Sequence, residues 1–198
     1  MRISALLAVS AVLVSSAFAQ PEIGQPAPDF TLNDASGKSH SLASLKGKYV
    51  VLEWVNFGCP FVKKHYESGN MQKLQKDAAD KGVVWLSICS SAPGKQGHLA
   101  GDEAEAAVKR SDSAASAYLI DDKGEVGRKY EARTTPEMFV INPEGILIYK
   151  GAIDDRPTPS AADIEGAKNH VTAALAEALA GQPVTNASTK PYGCSVKY

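Results

Sequence analysis

An apolar run that leads into a cysteine and a proline constrains this chain more than any other feature. Residues 49–55 are rich in β-branched and aromatic side chains and predict a buried strand. A three-residue turn then leads to Cys59 and Pro60, and proline suits the first position of a helix because its missing N–H needs no partner there. The sequence therefore predicts a strand followed at once by a helix that begins at Cys59.

A cysteine at a helix N-terminus is suited to thiol chemistry. The free N–H groups of the first turn favour an anion, so the thiol ionises more readily than its reference pKa of about 8.5 suggests. Lys63, Lys64 and His65 add positive charge nearby. Cys59 is the predicted nucleophile, and the alternative is a buried, inert cysteine, since free cysteines are among the most buried residues.

The remaining segments alternate between strand and helix patterns. The helix after Cys59 is predicted to run towards residue 81 with a kink near 68–70. In chain order the later predictions are a buried strand at 83–89, a helix at 101–110, a strand at 118–120, a short helix at 125–130, a hairpin of 138–141 with 146–149, and a helix at 161–180. This order predicts an α/β protein of three layers with a central mixed sheet.

The first nineteen residues have the pattern of a secretory signal peptide. One arginine, Arg2, precedes an apolar stretch, and Ala-Phe-Ala at 17–19 fits a cleavage site. The apolar core is too short to span a bilayer, and no later stretch reaches the roughly 20 apolar residues that a membrane helix needs. We expect an exported protein, periplasmic or secreted, without stable membrane insertion. A formal net charge of −1 with interspersed signs predicts no nucleic-acid partner.

Only three cysteines occur, Cys59, Cys89 and Cys194, which is too few for a disulfide-built scaffold. Cys89 ends a predicted buried strand, where it is expected to pack as a small apolar residue. Cys194 lies in a polar tail, residues 182–198, whose prolines and glycine suggest mobility and which can fold back over Cys59. Cys194 is then a resolving thiol for Cys59, half of a structural disulfide with Cys89, or a free thiol.

Three segments carry a family resemblance: GQPAPDFTL at 24–32, SLASLKGKYVVLEW at 41–54 and RKYEARTTPEMFVINPEGILIYKG at 128–151. Together with the Cys-Pro helix start they resemble the thioredoxin-like superfamily, in its redoxin or peroxiredoxin-like (AhpC/TSA-type) branch. The resemblance covers residues 22–181 and implies the thioredoxin-like α/β/α fold with a central mixed sheet. It also implies that Pro136 follows a cis peptide bond and abuts Cys59, with Thr135 beside it.

The chain departs from the family patterns at two positions. Val62 stands where a C-x-x-C motif has its second cysteine, so dithiol exchange within the motif is impossible. Asn56 stands where peroxiredoxins carry threonine or serine, and its amide is a predicted donor to a peroxide oxygen. The predicted catalytic residues are Cys59, Cys194, Pro136 and Asn56, and the predicted substrate-binding residues are Phe61, Lys63, Thr135 and Arg133.

The resulting hypothesis is an exported, thiol-dependent oxidoreductase without cofactor or metal. Cys59 reacts with a peroxide or with a disulfide-bearing protein, and an external thiol restores the reduced state. One alternative is a binding protein for a soft metal such as copper, held by Cys59, Cys194 and a histidine. The other alternative is an inactive interaction module that keeps the fold.

Overall fold

The structure is a computed structural model that describes residues 21–198, and the predicted signal peptide lies outside that range. A seven-stranded mixed sheet forms its centre. Its strands are β1 (Thr31–Asp34), β2 (Ser39–Ser41), β3 (Val50–Trp54), β4 (Val84–Cys89), β5 (Ala117–Ile120), β7 (Glu137–Ile141) and β8 (Leu147–Gly151). Two shorter strands, β6 (Thr134–Thr135) and β9 (Cys194–Ser195), form a separate pair. Within residues 21–198 no helix is long and apolar enough to cross a membrane.

The strand order β2-β1-β5-β4-β3-β7-β8 confirms the predicted mixed sheet. Strand β3 lies inside the sheet, parallel to β4 and antiparallel to β7, and all of its residues are buried. Trp54 at the end of β3 pairs with Glu137 at the start of β7. The chain that leaves β3 towards Cys59 therefore meets the chain that enters β7 from Thr135 and Pro136.

In the part of the chain that the structure describes, five α-helices accompany the sheet: α1 (Pro60–Glu67), α2 (Asn70–Ala79), α3 (Gly101–Arg110), α4 (Glu125–Lys129) and α5 (His170–Leu179). Alternate residues of β3 serve opposite faces, as the two-residue period of a strand requires. Val51 packs in one core with side chains of α1, α2, α3 and α5. Leu52 and Trp54 pack in a second core with Val126 of α4 and with segments of the N-terminal region. The predicted three layers are present, and the α4 layer is the thinner one.

One helix prediction is confirmed at its kink, and one was wrong in extent. The helix predicted from residue 59 towards 81 breaks where the kink was predicted: α1 and α2 are separated at Gly69, whose φ of 76° belongs to the left-handed region. The helix predicted over 161–180 is a short 3₁₀ turn, Ala161–Ile164, followed by α5. Gly166 at φ 76° ends the first piece, and the Asn169 side chain begins the second by accepting a hydrogen bond from the Thr172 N–H at 2.8 Å.

A buried carboxyl group, Glu53, lies in the middle of β3. It accepts hydrogen bonds from the Trp85 indole at 2.8 Å and the Ser87 hydroxyl at 2.9 Å, and further ones from Tyr66 and Gln75. Burial raises the pKa of Glu53 from its ordinary value of 4.5, and the four donors oppose that rise without cancelling it. Glu53 ties α1 and α2 to the sheet through Tyr66 and Gln75.

This arrangement predicts a pH-dependent stability. Because the folded pKa is raised, folding is favoured by the neutral form, and that stability is present below pH 4.5 and lost as the pH rises through the folded pKa. Glutamine does not titrate. Relative to Glu53→Gln, the wild-type free energy of unfolding should therefore fall with rising pH, by about 1.4 kcal/mol for each unit by which the pKa is raised. Urea unfolding of both proteins, at pH values from below 4.5 upwards, measures this difference in the free energy of unfolding. If the free energies of the two proteins change with pH in the same way, the prediction is contradicted.

Candidate active site

Cys59 lies at the N-terminus of α1, as predicted. Its own backbone is extended (φ −77°, ψ 127°), and Pro60 is the first helical residue. The thiol donates a hydrogen bond to the backbone carbonyl of Thr135 at 3.0 Å. The Thr135–Pro136 peptide bond is cis, which confirms that prediction. The β3–β7 pairing thus brings Cys59 and Thr135, which are 76 positions apart in sequence, into contact.

The C-terminal tail lies on this site and is not the mobile segment that its composition suggests. Strand β9 pairs with β6 in antiparallel register, and Cys194 lies opposite Thr135. The Val196 N–H extends the ladder by donating to the Arg133 carbonyl at 3.0 Å. The tail therefore adds a strand to the segment that carries the cis peptide, because the edge of β6 offers free backbone groups.

Gly193 makes this close approach possible. Its φ is 139°, which L-residues with side chains rarely adopt. A Cβ atom at this position would lie 2.2 Å from the Thr135 carbonyl oxygen, the atom that accepts the Cys59 hydrogen bond. Glycine is therefore required for the tail to dock in this register.

The two thiols that meet here have opposite ionisation tendencies. Burial raises the pKa of Cys59, but hydrogen bonds from the Cys194 thiol and from the backbone N–H groups of Val62 and Cys194 bring it below the ordinary value. Burial and the hydrogen bond to Cys59 raise the pKa of Cys194 to about 11. Cys59 is thus the more readily ionised of the two thiols, and Cys194 is a hydrogen-bond donor to it, as a nucleophilic sulfur requires.

Solvent exposure does not distinguish Cys59, the predicted nucleophile, from Cys89, the predicted small apolar residue. Cys59 is 0% exposed and Cys89 is 2% exposed. Cys89 packs in the same core and donates to the Gly97 carbonyl at 3.3 Å, which fits the predicted small apolar residue. What differs is the cover, since Cys59 lies under the docked tail. Access to Cys59 therefore requires movement of residues 192–196.

The predicted role of Asn56 as a peroxide donor stays a prediction, and the contacts of Asn56 do not favour it. Its amide nitrogen donates to the Gln96 carbonyl at 3.2 Å and to the Gln96 side chain at 3.1 Å. Its carbonyl oxygen accepts from the Gly58 N–H at 2.9 Å. Both donor hydrogens are used, so Asn56 shapes the turn before Cys59 and has no hydrogen left for a substrate.

Three predicted substrate-binding residues take different positions. Arg133 is turned away from Cys59, with its side chain 76% exposed and 3.8 Å from Glu131. Lys63 is exposed, lines a cavity of about 510 Å³ between α1 and α3, and is absent from the groups that shift the pKa of Cys59. Phe61 packs edge-on against Tyr192 of the tail, with ring centroids 5.8 Å apart. Only Thr135 contacts the sulfur directly.

Sequence reasoning missed a buried polar group beside the site, formed by Lys64, His65, Asp154 and Tyr192. Lys64 and His65 entered the sequence argument as nearby positive charge, and neither is exposed. The only sequence signal for Tyr192 is its place two residues before Cys194. In residues 21–198 no group of three or more His, Cys, Asp or Glu side chains has the geometry to hold a metal ion.

Comparison with known proteins places this geometry in a family. Residues 23–150 match the model of the AhpC/TSA family. A thioredoxin-like protein, YneN, of Bacillus subtilis is 31% identical over 152 residues, which are 72% of this chain and 79% of that protein. The thiol-disulfide oxidoreductase ResA of Bacillus thuringiensis is 30% identical over 132 residues, 65% of this chain and 69% of the relative.

Solved structures agree with the fold. An uncharacterized conserved protein of Geobacillus kaustophilus superposes with a TM-score of 0.76 at 26% identity, covering 90% of this chain and 93% of the other. A secreted disulfide oxidoreductase of Mycobacterium tuberculosis, 21% identical, shares the fold with a TM-score of 0.51 over 69% of this chain and 92% of its own. The match over residues 23–150 and the relatedness to YneN show that the chain belongs to the AhpC/TSA family of thioredoxin-like redoxins.

Proposed function

We propose that this protein is a thiol–disulfide oxidoreductase in which Cys59 attacks and Cys194 resolves. The position of Cys194 carries the proposal, because it pairs with Thr135, whose carbonyl accepts the Cys59 hydrogen bond. The lowered pKa of Cys59 and the raised pKa of Cys194 agree with these roles. The relatives named thiol-disulfide oxidoreductase support this reaction class. In this proposal Cys194 performs the role of the second cysteine of a C-x-x-C motif. The sequence position of that second cysteine holds Val62 here.

The reaction has two exchange steps. The Cys59 thiolate attacks a substrate disulfide, forms a mixed disulfide and releases one substrate thiol. Cys194, once deprotonated, attacks the Cys59 sulfur, so that the Cys59–Cys194 disulfide forms and the second substrate thiol leaves. One substrate disulfide is reduced to two thiols while the protein is oxidised by two electrons. An external thiol reverses the protein's oxidation.

The contacts around Cys59 support a disulfide over a peroxide as substrate. A peroxidase needs donors for the two peroxide oxygens, and Asn56 and Arg133 do not supply them here. Strand β6 instead presents backbone groups along which an extended chain lies, as the tail itself does. A partner of this kind is a protein with an accessible disulfide in an extended segment.

Export is part of the proposal. The signal-peptide pattern of residues 1–19 supports it, and so does the fold shared with a secreted disulfide oxidoreductase. An oxidising compartment also supplies disulfide-bearing substrates.

The proposal is tested by mass balance. Fully reduced protein is mixed with one equivalent of a peptide disulfide or, separately, of hydrogen peroxide, and the products are identified by non-reducing peptide mapping. With the disulfide we expect two equivalents of released thiol and a Cys59–Cys194 linkage. Cys59→Ser should reduce thiol release to the rate in buffer alone, while Cys89→Ser, the matched control, should behave as wild type. If Cys59 stays reduced in the mixture with the peptide disulfide, or becomes linked to Cys89 there, the proposal is contradicted.

A further inference from the structure

The helix that begins at Cys59 also carries two buried basic side chains in its second turn. Lys64 and His65 are both almost inaccessible to solvent, although neither faces the sulfur. Lys64 Nζ lies 3.6 Å and His65 Nε2 lies 3.8 Å from Oδ2 of Asp154, which is itself buried. Burying a carboxylate is costly unless it is paired and hydrogen-bonded, and Lys64 and His65 supply the pairing for Asp154.

The other oxygen of Asp154 binds the tail. The Tyr192 hydroxyl donates to Asp154 Oδ1 at 2.5 Å, and Oδ1 also accepts the Arg156 N–H at 2.9 Å. Hydrogen bonds to an ionised acceptor are shorter and about twice as strong as neutral ones. Lys64 Nζ lies 5.5 Å from the centre of the Tyr192 ring, and Tyr192 also packs on Phe61. Three α1 side chains therefore contact Tyr192 or its partner.

The charges in this cluster balance. Lys64 donates a hydrogen bond to the Arg156 carbonyl at 2.7 Å and forms an ion pair with Asp154. The Asn70 amide donates to His65 Nδ1 at 2.8 Å, which leaves the Nε2 hydrogen for the Tyr192 hydroxyl at 3.4 Å. Burial lowers the pKa of His65 to about 4, so it is neutral at physiological pH. Lys64 and Asp154 remain as one pair of opposite charges.

We propose that Asp154 and Tyr192 form a latch that positions Cys194 against Cys59 for the resolving step. Tyr192 precedes Cys194 by two residues, and the helix that carries Cys59 also carries the Lys64 and His65 that fix Asp154. The latch therefore ties the position of the second sulfur to the position of the first. Asp154 and Tyr192 are positioning residues, and this inference rests on the proposed function.

The latch bears on the second exchange step and not on the first. In the first step Cys59 attacks a disulfide while the tail is open, so loss of the latch leaves the step unchanged or accelerates it. In the second step Cys194 must return to the Cys59 sulfur and displace the substrate thiol. Positioning of this kind contributes to rate through orientation, and small misplacements are costly.

The test uses Tyr192→Phe, which removes the hydroxyl and keeps the ring on Phe61. The full-length protein is mixed with a chromogenic aromatic disulfide, whose first thiol reports attack by Cys59 and whose second reports displacement by Cys194. We expect the second release to slow by about tenfold or more, the effect of losing one hydrogen bond to a charged group, with the first release not slowed.

Tyr198→Phe is the matched control, because it removes a tail hydroxyl that donates to the neutral Ala132 carbonyl at 2.7 Å. It should leave the ratio of the two rates as in wild type. Thermal unfolding of each variant confirms that the fold is intact. Equal second-step rates in wild type and Tyr192→Phe, or equal slowing in Tyr198→Phe, would overturn the latch while the proposed function stands. Absence of the second release in wild type would overturn both.

Discussion

Replacing Gly193 with alanine is expected to expose Cys59. The new Cβ would lie 2.2 Å from the Thr135 carbonyl oxygen, and φ at 139° is strained for any residue with a side chain. A strain of 1–2 kcal/mol from the backbone alone, with the steric clash added, favours the undocked tail and should raise the alkylation rate of Cys59 by about tenfold or more. Mass-spectrometric labelling under native conditions measures this rate for each cysteine separately.

Two comparisons make that result specific. Cys89 is covered by the core and not by the tail, so its labelling should not change. Gly181→Ala is the matched control, because Gly181 also has a left-handed backbone, at φ 71°, but a Cβ there meets no atom within 4 Å. An unchanged Cys59 rate in Gly193→Ala, or an equal rise in Gly181→Ala, would mean that tail docking does not control access to the sulfur.

The fold was largely predictable because its strands have strong local patterns. The run at residues 49–55 is apolar except for Glu53, and an almost continuous apolar run is typical of a strand that is buried on both faces. The hairpin of β7 and β8 was predictable from its turn, and the helix start at Cys59 from Pro60. The break near Gly69 was predicted as a kink, whereas the one at Gly166 was not, since composition alone does not reveal its positive φ angle.

The site was predictable only in part. Cys59 and the cis Thr135–Pro136 bond followed from local motifs and the family resemblance. The position of the tail did not, since β6 is two residues long and its pairing with Cys194 depends on long-range geometry. The contacts of Asn56 were not predictable either, since Gln96, which accepts both amide hydrogens, lies 40 residues further along the chain. Asp154 was missed because a single acidic residue far along the chain has no local pattern.

The largest effect is expected for Cys194→Ser. Without the second thiol, the reaction of Cys59 with a substrate disulfide should stop at the mixed disulfide. An intramolecular thiol held in place acts at an effective concentration far above that of a millimolar external thiol, so the mixed disulfide should persist about a thousandfold longer or more. Intact-protein mass spectrometry gives its mass and lifetime. A mixed disulfide that decays as fast as in wild type would exclude Cys194 as the resolving thiol.

The order of the two steps follows from the charges at the two sulfurs. Burial raises the pKa of Cys194, and so do the hydrogen bond to Cys59 and the negative charge on Cys59. Once Cys59 is in a mixed disulfide, it carries no charge. The hydrogen bond to Cys59 and its negative charge then no longer raise the pKa of Cys194, and only burial still does. Cys194 then ionises more readily, at the moment when its attack is required. We therefore expect the alkylation of Cys194 to accelerate after Cys59 is blocked by a small disulfide, and an unchanged rate would contradict this coupling.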